Sequence, residues 1–283
     1  MAYLTVCAMY WNEARYLEEW IEFHRLVGVE RFFLYNHMST DGHREVLAPY
    51  IEEGTVALKD WPEDASQASA YRDCLDERRE QARWIAFIDL DEFLFSPTLA
   101  PLPELLAEYE RWPGVAVNWA MFGAAGHEIA PAGLVLENYT RRVPDGHPFN
   151  RLCKCVVDPR RTIQCGAGIS AHSFDYTEDH AVDENFAPRD KYPRGKTESL
   201  SFERLRVNHY YMKSKEQWLA KIAATRPDTS LRLRHYPAHR YAEMNDLFSR
   251  VRDETIQAYL PELKAALAAR STARRPDALR ADG

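Results

Sequence analysis

The feature that most constrains the fold is the stretch Arg83-Trp84-Ile85-Ala86-Phe87-Ile88, which breaks into Asp89-Leu90-Asp91-Glu92 and returns to Phe93-Leu94-Phe95. A run this apolar needs cover on both faces, as a parallel sheet between helical layers provides. The acids then project from an apolar frame, where a carboxylate is costly without a cation or hydrogen-bond donors.

The preceding residues supply such a sheet. Tyr3 to Met9 reads as a short strand, and Ala14, Leu17, Trp20, Ile21, His24 and Val27 recur at helical spacing before Gly28. Arg31 to Tyr35 is a second strand, Ser39 to Gly42 a turn and Arg44 to Ile51 a helix; Val56 to Leu58 is a third strand and Ser66 to Gln81 a third helix. Three β-α steps in about ninety residues predict an α/β fold with a mostly parallel, helix-covered sheet. Leu99 to Trp112 reads as a helix and Val115 to Trp119 as a strand. From residue 123 to about 200 the rhythm gives way to Gly, Pro and short β-branched runs. Helices are expected over Ser214 to Ala224 and within Tyr241 to Ala269, with a polar, frayed tail at 271–283.

In an open parallel sheet, ligands sit beyond the carboxyl ends of the strands. Asn12 and Glu13 follow the first strand, Asn36 and Asp41 the second, and Asp89, Asp91 and Glu92 the fourth. Asp89 and Asp91 are two apart, so on an extended chain both carboxylates face the same way, spaced for one hard cation. Mn²⁺ or Mg²⁺ suits such oxygen ligands, and a sugar-nucleotide diphosphate supplies the rest of the coordination shell.

Composition narrows the partners. The net charge is −7 from 36 basic and 43 acidic residues, with no Lys/Arg stripe, so nucleic acid is not expected. No stretch reaches the ~18 apolar residues of a spanning helix, which leaves at most a peripheral membrane contact. Five cysteines, an odd number without CxxC pairs, fit reduced thiols in a cytoplasm. Cys153 and Cys155 share one face of a strand and read as small buried hydrophobes.

Five separated blocks carry a family resemblance: Asn12-Glu13-Ala14; Gly28 to Phe32; Ser39 to Gly42; Trp84 to Phe93, which contains the acidic cluster; and Asn208-His209-Tyr210-Tyr211-Met212-Lys213-Ser214. Together, over residues 1 to about 225, the chain resembles glycosyltransferase family 92 and its family 2-like bacterial relatives. The resemblance implies a GT-A fold: a Rossmann-like nucleotide-sugar-binding half at 1–122, a mixed α+β acceptor-binding half at 123–225, a helical segment at 226–270 and a disordered tail at 271–283. It implies transfer of a hexose from a nucleoside diphosphate sugar, UDP-sugar favoured, to a glycan or other hydroxyl acceptor, with inversion.

By the same resemblance Asp91 ligates the metal, Asp89 faces the ribose or the metal's water shell, and His209 closes the metal site. Asn12, Glu13 and Asp41 line the base and ribose pocket, Asn36 stands where relatives often have an acid, and Lys213 neutralises the diphosphate. Several of these residues have equally ordinary uses: Asn12 as a helix cap, Asp41 as a turn stabiliser. Gln67, Tyr71 and Arg72 group on one helix, from which Arg72 could reach the diphosphate. Trp119 could stack on an acceptor sugar. For the general base of an inverting transfer, Asp175 is the first candidate, because His172-Ser173-Phe174 precede it; His172 is the second, and Glu178, Asp179, Asp183 and Glu184 lie nearby.

Two other classes of protein share part of this pattern. Asp-Leu-Asp also opens the haloacid dehalogenase-like phosphatase signature, but that signature follows the first strand and needs Thr or Val where this chain has Phe93. A non-catalytic nucleotide or carbohydrate binder would be marked by loss of the acids, which are present.

Overall fold

The computed structural model describes residues 1–62, 66–166, 171–177, 180–189, 196–223 and 240–273. The expected alternation is observed: β1 (Ala2–Tyr10), α1 (Ala14–Leu26), β2 (Arg31–Asn36), α2 (His43–Glu52), β3 (Val56–Asp60), α3 (Gln67–Arg78) and β4 (Ala82–Phe87). β2 and β4 flank β1, and β3 flanks β2, all in parallel. Along β1 the side chains alternate between two cores: Leu4, Val6 and Ala8 join Trp20 and Phe23 of α1, while Cys7 joins Tyr71 and Cys74 of α3. Gly28 ends α1 at φ 106, where a Cβ would stand 2.5 Å from Pro103. Only glycine fits that approach.

Past β4 the chain runs through β5 (Glu92–Phe95), α4 (Leu102–Ala107), β6 (Gly114–Met121), α5 (Val135–Asn138), β7 (Arg141–Arg142), β8 (Cys153–Val157), β9 (Thr162–Cys165), β10 (Phe174–Tyr176), β11 (Val182–Asp183) and β12 (Arg206–His209). It closes with α6 (Lys215–Ala223), α7 (Tyr241–Phe248), β13 (Val251–Arg252) and α8 (Leu260–Ala273). α4 is shorter than expected. Leu99 has φ 64, and Trp112 precedes Pro113, which disfavours helix at its neighbour. The single helix expected within 241–269 is two, because Val251 and Arg252 pair with β7 between them. Residues 271–273, expected in the tail, extend α8; residues 274–283 and the boundary near 226 lie outside the described residues.

One sheet runs β3-β2-β1-β4-β8-β6-β12-β5, with β11 beside β6. It does not stop at residue 122: β8, β11 and β12 come from the segment read as a second half. β8 is antiparallel to both neighbours, and β5 is antiparallel to β12; the other pairings are parallel. β4 and β5 are separated in the sheet by three strands, a distance of ~19 Å if flat, yet in sequence by four residues folded as a turn, with the Glu92 N–H donating to the Asp89 carbonyl at 3.1 Å. The sheet must therefore curl, and Asp89-Leu90-Asp91 sits at the mouth of the curl.

Candidate functional site

The curl aims side chains from four elements at the acidic turn: Lys154 from β8, Trp119 from β6, His209 from β12 and Lys221 from α6. The last three line a cavity of about 270 Å³, whose apolar wall includes Met121, Phe149, Met244 and Phe248. α1 holds the turn in place. Trp20 donates its indole N–H to the Glu92 carbonyl at 2.7 Å, and the Leu94 N–H donates to His24 Nε2 at 3.2 Å. His24 therefore carries its proton on Nδ1, which faces the Trp20 carbonyl at 2.8 Å; burial pushes its pKa down to about 3 and keeps the ring neutral.

Asp89 is tied down on both oxygens. Oδ1 accepts from Gln67 and from the Tyr71 hydroxyl at 3.3 Å, and Oδ2 from Lys154 Nζ at 2.8 Å. Gln67 and Tyr71 are four apart on α3 and share its face. Burial opposes the charge of Asp89, but Lys154 outweighs it and holds the carboxyl below its ordinary range. Burial likewise opposes the charge of Lys154, which Asp89 and Glu92 more than offset.

Asp91 is held differently. Lys221 Nζ lies 2.8 Å from Oδ2, and His209 Nε2 lies 3.4 Å from Oδ1. Burial is again the opposing effect, and Lys221 with His209 keeps the carboxyl well below its ordinary range. Behind His209 stands Glu92, fully buried, its Oε1 3.7 Å from His209 Nδ1. Neither atom has a hydrogen-bond partner among the described residues. Burial raises the Glu92 carboxyl well above its ordinary range, against the pull of Lys154, whose Nζ lies 3.5 Å from Oε2.

The other expected residues divide. Glu13 reaches the cavity and accepts from Lys213 Nζ at 3.3 Å. Lys213 is thereby turned away from a diphosphate role: its ammonium also lies 3.6 Å over the Tyr16 ring. Asn12, at φ 54, is not the cap of α1. Its side chain accepts from the Thr40 N–H at 2.8 Å, and the cap is made across the gap by Asp41, which accepts from the Ala14 N–H at 2.8 Å. These two bonds lock the loops after β1 and β2 together. Asn36 holds its own loop, donating to Asp60 at 2.8 Å and accepting from the Ser39 N–H at 2.9 Å.

Arg72 points elsewhere than expected. One position beyond Tyr71 it is rotated about 100° around α3, and it donates to the Cys165 carbonyl at 3.1 Å. Of the base candidates, His172 lines the cavity, its ring 5.2 Å from that of Trp119, with its pKa pushed down to about 3 by burial and by Lys154. Asp175 does not reach the cavity; it accepts from Gln164 at 2.9 Å on the β9–β10 hairpin. Asp183 and Glu184 are structural: Asp183 accepts from the Asn185 and Ala187 N–H groups, Glu184 from those of Glu203, Arg204 and Leu205. Glu178 and Asp179 lie outside the described residues.

Sequence reasoning missed Lys154 and Lys221 as members of the cluster; Glu92 it placed beside Asp89 and Asp91. Lys154 was legible: if Cys153 and Cys155 share a face, the residue between them must face the other way, and a lone lysine in an apolar strand calls for an acid. Lys221 sits seven residues after Ser214, the cap of α6, with no local signal of what it faces.

The residues fit a divalent cation in part. Asp91 Oδ1 and His209 Nε2 converge on the cavity, and the buried, unpartnered Nδ1 of His209 facing Glu92 is the arrangement in which a carboxyl group orients a ligating imidazole. Asp89, expected as a ligand, already has both oxygens engaged. Among the described residues no three acidic, histidine or cysteine side chains form a ready-made cage, so donor oxygens would have to complete the shell.

A family model described as glycosyltransferase family 92 matches residues 2–244. A glycosyltransferase family 92 protein of Oryza sativa subsp. japonica is 35% identical over 162 residues, 55% of this chain and 27% of the relative. A galactan beta-1,4-galactosyltransferase of Arabidopsis thaliana is 30% identical over 106 residues, 34% of this chain and 20% of the relative. The chain thus spans about a quarter of the length of the curated relatives it matches. Among solved structures, S. aureus TarS 1–349 in complex with UDP covers 56% of this chain and 47% of its own, at 12% identity and a TM-score of 0.38. Matched by the family model over most of its length, and carrying the acidic turn in the mouth of the sheet, the chain belongs to glycosyltransferase family 92.

Proposed function

We propose that the chain transfers a hexosyl group from a nucleoside diphosphate sugar, with UDP-sugars the first donors to try, to a hydroxyl of a glycan acceptor, with inversion. The observation that carries this reading is the convergence of Asp91, His209 and Lys221 on a cavity with an apolar, aromatic wall. Charged groups there suit a diphosphate, and Trp119, Phe149 and Phe248 offer faces to a sugar. A relative named as a galactosyltransferase supports a hexose.

A divalent cation on Asp91 and His209, Mn²⁺ or Mg²⁺, would act as a Lewis acid toward the departing diphosphate. The chain's own residues do the rest. Asp89, fixed by Gln67, Tyr71 and Lys154, gives the donor pocket a rigid floor. Asn12 and Asp41 hold the two loops that flank it. His172 faces the cavity and Asp175 does not, so we assign it, ahead of Asp175, to accept a hydrogen bond from the acceptor hydroxyl and orient it; burial and Lys154 oppose full transfer of the proton to its ring.

A panel of nucleoside diphosphates with Mn²⁺, followed by thermal melting, tests the reading. One of them should stabilise the fold by about 2.7 kcal/mol at a hundredfold excess over its dissociation constant. If none does, the donor assignment fails.

A further inference from the structure

Three lysines surround the acidic turn, and they differ in freedom. Lys154 is fully buried and bonded to Asp89; Lys213 is bonded to Glu13 and covered by Tyr16. Lys221 is the most exposed of the three at 21%, and lines the cavity itself. Its Nζ contacts Asp91 Oδ2 at 2.8 Å and the Tyr211 carbonyl at 3.3 Å. It therefore occupies one oxygen of the carboxylate whose other oxygen faces His209.

A divalent cation drawn to Asp91 and His209 meets this ammonium at close range, and like charges at such a separation repel strongly in a partly desolvated site. Among the described residues Lys221 has no second carboxylate of the cavity wall to move to. The other acids of the cavity wall, Glu13 and Asp89, already hold Lys213 and Lys154. What would receive it is a phosphate oxygen, the anion that a compact, three-donor ammonium on a flexible stem binds well.

We propose that Lys221 is an exchangeable counter-ion. It neutralises Asp91 while the site holds no donor, and it passes to a diphosphate oxygen when cation and nucleoside diphosphate bind together. This rests on the donor reading above and adds to it a coupling between the two ligands. The cation alone must displace the lysine without giving it a new partner, whereas the diphosphate provides one. Cation and donor then strengthen each other's binding, and the effect is reciprocal.

The test uses the full chain and two probes, Mn²⁺ alone and UDP with Mn²⁺. Mn²⁺ binding to the donor-free protein is followed by the electron paramagnetic resonance of the free ion, and UDP binding at saturating Mn²⁺ by calorimetry. Lys221→Met should bind Mn²⁺ alone more tightly, by ~5-fold or more, and UDP more weakly, by ~10-fold or more, with opposite signs because one side chain leaves both partners. Lys221→Arg, which keeps the charge, should stay near the wild type in both. Lys221→Gln is the second neutral variant should the methionine not fold. Unchanged or weaker Mn²⁺ binding in the neutral variants overturns the exchange, as does unchanged UDP binding. Wild-type protein that takes Mn²⁺ but no nucleoside diphosphate overturns instead the donor reading and the second half of the exchange, while the Mn²⁺ comparison still judges the first half.

Discussion

Two clusters of buried charge hang from the same short strand, β12, and they are built to opposite ends. At its start Arg206 joins Arg142 around Asp253: Asp253 Oδ2 accepts from Arg142 at 2.5 Å and from Arg206 at 2.8 Å, and Oδ1 takes the Thr255 N–H at 3.1 Å. None of these three charged residues lines the cavity of the acidic turn. At its end His209 joins Asp91, Glu92, Asp89, Lys154 and Lys221 beside that cavity. The first cluster satisfies its carboxylate with two planar, well-anchored guanidinium groups, and so pins β13 and β7 to the sheet. The second satisfies its outer carboxylate with a partly exposed lysine and leaves His209 Nδ1 and Glu92 Oε1 without partners among the described residues, where the first leaves Arg206 Nε. A cluster away from the cavity holds a fold; one that faces it, with an acid and an imidazole still to be matched, is the kind that receives a ligand.

This contrast can be broken at either end. The largest effect is expected from Asp253→Asn, which leaves the buried Arg206 without a carboxylate and Arg142 with only the exposed Asp145: about 3–5 kcal/mol of stability is lost, read as a lower melting temperature or denaturant midpoint. Nucleotide binding by the molecules that remain folded should not change. A loss below ~1 kcal/mol would mean that this cluster does not hold the fold.

Asp91→Asn should do the reverse. Mn²⁺-nucleotide affinity falls by ~100-fold, while the melting temperature moves by less than half of the Asp253→Asn shift. If the melt collapses and binding per folded molecule persists, the two clusters have been assigned the wrong way round.

The smallest effect is expected at Glu92→Gln. Burial pushes this carboxyl well above its ordinary range, toward the neutral form, so an amide of the same shape, with its oxygen placed where Oε2 accepts the Asp89 N–H at 2.9 Å, should cost less than ~1 kcal/mol. A loss comparable to that of Asp253→Asn would show that Glu92 is ionised in the folded protein.

The difference between the clusters also explains what the sequence made legible. Strands β1 to β4 and helices α1 to α3 follow from local periodicity and turn residues. The acidic turn stands out because its carboxylates interrupt an apolar run. Asp89 and Asp91 line the cavity as a reading of strand ends would have them; His209, placed by the family resemblance, and His172, the second base candidate, line it too. Which acids the lysines meet does not show locally: the strand around Lys154 says that it needs an acid, but Lys154 and Lys221 reach the turn only because the sheet curls, and the curl follows from β8 entering between β4 and β6, a pairing with no local signature. Arg72 and Asp175 were misdirected for the same reason. Each sits near the turn in the chain's logic, yet each faces the β9–β10 hairpin, whose position only the tertiary fold sets.

The central claim, that the cluster facing the cavity is the donor site, is tested most directly by anomalous scattering from Mn²⁺ in crystals soaked with Mn²⁺ and UDP. The account predicts a single strong peak between Asp91 Oδ1 and His209 Nε2, the diphosphate beside it, and the Lys221 ammonium moved from Asp91 to a phosphate oxygen. A nucleotide bound away from the acidic turn, or a turn left as it stands with Lys221 still on Asp91, would contradict it.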